Sequence, residues 1–137
     1  LLVRNKDLLR AQLLFDGGEY RQMLELLLNV EVQHFSNDDL IERFYRLGRV
    51  CEELQQISDS KANFLMVVFK SDKKSTAYFA PNACLHLSRI YLKEGNYLKA
   101  NQYVRAGLAY RHYEYQANIK VQLKKILQFI EDETITD

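Results

Sequence analysis

Helix breakers are scarce in this chain, with one proline and five glycines among 137 residues. Their scarcity leaves long stretches that favour helix. Cysteine is as sparse. Cys51 and Cys84 stand outside any Cys-x-x-Cys or Cys/His spacing, so zinc and thioredoxin-like chemistry have no support. Both fall in apolar stretches, where cysteine acts as a small hydrophobe and is compatible with a reducing compartment. No run of about 18 apolar residues occurs, so no membrane span is expected. A Gly-rich phosphate loop is missing too, since Gly17-Gly18 fits neither the dinucleotide nor the P-loop spacing. The net charge of +1 argues against whole-surface attraction to nucleic acid or membrane. No signal peptide is visible, and the chain opens on Leu1-Leu2 without a methionine, which reads as a piece of a longer protein.

What is present is ordinary for a folded domain. Hydrophobic residues at 47% and charged residues at 27% speak against global disorder. A chain of this length is expected to form a single domain, residues 1–137. The charge is uneven. Residues 70–125 carry eleven Lys/Arg against three Asp/Glu, while residues 126–137 carry four acids and no cation. Solvated helix faces are the plainer reading of the basic segment, and a surface for an anionic partner is the other.

One pattern occurs twice. Leu87-Ser88-x-x-Tyr91-x-x-x-Gly95-x-Tyr97-x-x-Ala100 is echoed by Arg10-Ala11-x-x-Leu14-x-x-x-Gly18-x-Tyr20-x-x-Met23, 77 residues earlier. The glycine and tyrosine recur unchanged, and the small and bulky slots keep their character. The interval is about two periods of a 34-residue helix–turn–helix unit plus nine residues, which predicts a helical repeat.

Hydrophobic periodicity predicts seven helices. The first spans about Leu2 to Phe15, with Val3, Leu8, Leu9, Leu13 and Leu14 on its apolar face, and Gly17-Gly18 ends it. The second spans about Tyr20 to Val32. Ser36-Asn37-Asp38-Asp39 marks the start of the third, which runs to about Gln55. A fourth covers about Ser58 to Lys70. Its Phe64–Phe69 run also suits a buried strand, but no second strand exists to pair with it. The fifth begins near Phe79–Pro81 and ends at Gly95-Asn96. The sixth covers about Tyr97 to Ala109. The seventh covers about Tyr113 to Glu133, with Ile119, Leu123, Ile126, Leu127 and Ile130 in one stripe and a frayed tail at Thr134–Asp137.

Residues 81–108 resemble the tetratricopeptide repeat (TPR). Its slots hold Cys84, Leu87, Ser88, Tyr91, Gly95, Ala100, Val104 and Gly107. In a middle unit the same slots hold Phe44, Leu47, Gly48, Cys51, Gln55, Ser60, Phe64 and Val67, with Gln55 in place of the turn glycine. In the first unit Asp7 and Arg10 replace apolar residues, so its first helix is expected to rotate or pack loosely. Met23 and Val30 replace small residues there, which sets the helices further apart. The resemblance covers about residues 4–110 and implies an all-α superhelix. Its three helix pairs would span about 4–35, 38–71 and 78–110, with a solvating helix at about 113–133. The Ala77–Ala83 and Glu114-Tyr115-Gln116 segments resemble the C-terminal TPR segments of large helical-repeat proteins, which places the piece at the end of a longer array.

Catalytic chemistry has no positive signal. His34, His86 and His112 lack a Cys or His at ligand spacing, and Glu52-Glu53 project about 100° apart on a helix. Tyr103, Tyr110, Tyr113 and Tyr115 lie among Arg105, Arg111 and Lys120, a mixture able to stack bases, but TPR helices routinely bury tyrosine bodies, so nucleic acid is not the expected partner. The resemblance implies a non-catalytic protein-binding scaffold without metal or cofactor. Its groove, on the first helix of each pair, would carry Asn5, Gln12, Tyr45, Arg46, Arg49, Asn82, His86, Arg89 and Lys93. Arginine suits carboxylates and tyrosine supplies contact area, so the expected ligand is an extended or helical peptide of acidic character. Leu8 stands where the family's chaperone-tail clamp needs a charge, so a chaperone C-terminal tail is not expected. The alternative function is a structural end cap of a longer helical array.

Overall fold

The structure, a computed structural model, describes residues 4–135. The expected helical start at Leu2, the place of Val3, and the last two residues of the expected tail lie outside the described residues. Within them the chain is all-α: α1 (Lys6–Asp16), α2 (Tyr20–Asn29), α3 (Asn37–Glu53), α4 (Ile57–Lys70), α5 (Phe79–Lys93), α6 (Tyr97–Leu108) and α7 (Gln116–Ile135). Helix α1 packs on α2 and α2 on α3, and separately α5 packs on α6 and α6 on α7. The ambiguous 64–69 run is helical throughout, and no described residue is in a strand. The chain divides into two compact units, residues 1–67 and 68–137, with the division inside α4.

The first unit begins at Asn5, whose side chain accepts hydrogen bonds from the backbone N–H groups of Asp7 (3.0 Å) and Leu8 (3.1 Å). This satisfies two of the N–H groups that every helix start leaves open. Leu8 and Ala11 of α1, Met23 and Leu27 of α2, and Leu47 and Val50 of α3 form one buried cluster. Asp7 and Arg10 do not prevent this. They line a cleft of about 720 Å³ between α1 and α2 while Leu8 and Ala11 turn inward. The start of α3 is a capping box: Ser36 Oγ accepts from Asp39 N, and the Asp39 carboxylate accepts from Ser36 N. Further along α3, a Cβ built on Gly48 would lie 2.6 Å from the Phe64 ring, so α4 comes this near only because Gly48 has no side chain. Ser60 Oγ uses the same approach to donate to the Gly48 carbonyl at 2.7 Å.

Three inter-helix turns share one backbone pattern. Gly18, Gln55 and Gly95 have φ of 76°, 62° and 74°. After each, the next N–H reaches back five residues: Glu19 to Leu14 (2.8 Å), Gln56 to Cys51 (2.8 Å) and Asn96 to Tyr91 (2.9 Å). This left-handed helix ending suits glycine. Gln55 adopts it nonetheless, so the middle turn closes as the other two do.

The second unit joins α5, α6 and α7. Ser88 and Ala100 are fully buried. A Cβ on Gly107 would meet Cys84 Cβ and Leu123 Cδ1, both at 3.0 Å, so all three helices converge there. Ile119, Leu123 and Ile130 of α7 are buried in this core, and Ile126 and Leu127 are half-buried. The seventh helix starts three residues later than the expected Tyr113. His112 and Tyr115 have φ of 59° and 62°, which no right-handed helix accommodates. The turn they form is tied down by Glu114 N donating to Thr76 O at 3.0 Å and by edge-on packing of Tyr115 against Tyr78.

Candidate partner-binding face

The expected groove residues fall into separate groups. Asn5 is spent as the α1 cap. Gln12, Tyr45, Arg46 and Arg49 come together where α1 packs on α3. Asn82, His86, Arg89 and Lys93 lie along one side of α5 in the other unit, with Asn82 and His86 half-buried and the other two exposed. Arg89 donates to the Gln122 side chain, so α7 borders that side of α5.

In the first unit, a carboxylate lies between two guanidinium groups. Glu42 Oε2 accepts from Arg4 Nη2 at 2.9 Å and from Arg46 Nε at 3.0 Å. Gln12 Oε1 accepts from the same two arginines, at 2.8 Å from Arg4 and 3.3 Å from Arg46. Arg46 is only 8% exposed and sits 5.8 Å from the Tyr45 ring centroid. Its charge is therefore committed inside the fold. Arg4, on the solvent side, makes the triad net positive.

Arg49 is placed differently. Its guanidinium lies 4.9 Å from the centroid of Phe15 and 5.9 Å from that of Tyr45, and Nη1 donates to the Tyr45 hydroxyl at 2.9 Å. Two rings thus hold it in place. Among the described residues its Nε is buried without a hydrogen-bond partner. Arg49 is half-buried, on the same face as Arg4 and Arg46, which both bond Glu42.

Arg4, Phe15 and Glu42 complete this face but were not among the residues picked out from the sequence. Glu42 has a sequence signal, because it precedes Arg46 by one helical turn, the favourable order for such a pair. Arg4 and Phe15 reach the face through the packing of α1 on α3 and have none. Arg43 was missed for a similar reason. Its Nε donates to Leu27 O at 2.9 Å, one of the carbonyls that the end of α2 leaves open, and burial lowers its pKa.

The thiols are poorly placed for chemistry. Burial, then the Asp59 carboxylate, pushes the Cys51 thiol up. Burial pushes Cys84 up to about 12, with Lys73 a weaker opposing influence. Among the described residues no group of three His, Cys, Asp or Glu side chains is arranged to hold a metal, and no helix is long and apolar enough to cross a membrane. Comparison with known proteins finds no matching family model, no matching curated protein and no matching solved structure.

Proposed function

We propose that this chain is a non-catalytic protein-interaction scaffold of TPR type. On this reading it binds an acidic peptide segment on the face where α1 packs on α3. The observation that carries the reading is Arg49, a guanidinium held by Phe15 and Tyr45 that pairs with no carboxylate among the described residues, on the same face as Arg4 and Arg46. Preorganised arginine binds carboxylates bidentately and loses little entropy in doing so. The three turns of one backbone pattern, and the buried small residues Ala11, Gly48 and Ser88 at matching slots, support the repeat architecture.

Arg49 is the position to test. A glutamate at position 46 would stand against Glu42 and harm the fold itself, whereas Arg49→Gln removes the charge from a half-buried site. Wild type and Arg49→Gln are titrated with fluorescent acidic, neutral and basic peptides. The expected result is selective binding of acidic peptides, weakened about 30-fold or more by Arg49→Gln, as for loss of a desolvated charge pair. The melting temperature stays close to that of wild type. Equal binding of all three peptide classes, or of both proteins, refutes the proposal.

The second reading is a structural end cap of a longer helical array. Leu13 and Leu28, exposed on the α1–α2 pair, favour it, because a further helix pair stacked there would bury them.

A further inference from the structure

The face formed by α6 and α7 in the second unit is built differently from the arginine-rich face of the first. Leu98 projects from α6 with 81% of its surface exposed, and Tyr97 and Phe129 are partly exposed beside it, their ring centroids 6.5 Å apart. Next to Leu98 a groove of about 380 Å³ opens between the two helices, lined by Tyr97, Asn101, Ile130 and Thr134 among others. An apolar knob and an apolar hole therefore share one face.

The walls of the groove have opposite charge. Helix α6 contributes one cation to the lining, Arg105, and contains no acid between Tyr97 and Leu108. The end of α7 contributes one acid to the lining, Glu131. Arg105 and Glu131 face each other at 4.0 Å with about half or more of each side chain exposed, a pair too solvated to hold either strongly. An acidic or a basic peptide would match only one wall. A two-fold related copy matches both, because the rotation sets each cationic α6 wall against the partner's acidic α7 wall and each Leu98 over the partner's groove.

We propose that the α6–α7 face is a two-fold interface through which this chain associates with a second copy of itself. The proposal does not depend on peptide binding by the first unit. Sedimentation velocity of the full chain over a range of concentrations tests it, with circular dichroism to check folding. Wild type is expected to shift from monomer to dimer as concentration rises. Leu98→Glu should weaken the dimer by about 30-fold or more, as removal of a central interface residue does, and Arg105→Glu should weaken it less but measurably. The paired swap Arg105→Glu/Glu131→Arg should restore it. A wild-type monomer at every concentration overturns the proposal. So does a dimer that survives Leu98→Glu, or a folded charge swap that stays monomeric.

Discussion

Gln55 occupies a left-handed conformation that Gly18 and Gly95 occupy in the equivalent turns, although a side chain there costs about 1–3 kcal/mol. A glycine gives back part of that through its freer unfolded state. Gln55→Gly is therefore expected to raise stability by about 0.5–1 kcal/mol. The reverse change, Gly95→Ala, is expected to lose about 1 kcal/mol or slightly more, although a Cβ at Gly95 meets nothing within 4 Å. Urea denaturation of the two variants measures both signs. A loss in Gln55→Gly would mean that the glutamine side chain contributes more than its backbone costs. The sequence alone casts doubt on this turn because glycine is its usual marker. The doubt is resolved by hydrogen bonds from Gln56 and Leu54 that involve only backbone and are blind to residue type.

At the level of the helix, boundaries were legible wherever a local signal sets them. Ser36 with Asp39 forms the capping box its spacing announces, and Gly17-Gly18 ends α1. The start of α7 was not legible, because His112 and Tyr115 are ordinary residues in left-handed backbone, which their residue types do not announce. Asp7 and Arg10 suggested an α1 that is either rotated or loosely packed, and Leu8 and Ala11, one residue further along from each, carry the packing. The energetics of α7 rest on its buried stripe. Leu123 is fully buried against the bare Cα of Gly107, so Leu123→Ala leaves a cavity with little room to collapse. A loss of about 2–5 kcal/mol is expected by chemical denaturation. Leu127→Ala, at a half-buried position, is expected to cost less. Equal small losses at both sites would mean that α7 is weakly docked.

For the molecule as a whole, buried ionisable groups set an alkaline limit. Burial raises Cys84 from 9.0 to about 12, and burial with the Cys84 charge raises Tyr110 from 10.0 to about 12. Both groups are neutral when protonated, so the fold holds their protons more tightly than the unfolded chain does. Their contribution is fully present below pH 9.0 and is lost as pH climbs toward 12. The urea midpoint should therefore fall across that window, and less steeply in Cys84→Ala. A flat midpoint would count against burial of these groups. The candidate site was only half legible at this scale. Gln12, Tyr45, Arg46 and Arg49, taken from the repeat slots, do lie together where α1 packs on α3, whereas the bond from Arg4 to Glu42 and the clamping of Arg49 by Phe15 arise from contacts between segments far apart in sequence. The shared turns carry a further consequence, one of information. Each turn is closed by main-chain bonds and constrains the genetic code at little more than one left-handed position, with a few small residues where helices touch. The turns themselves can therefore keep their shape while their letters change, as Gln55 does between Gly18 and Gly95.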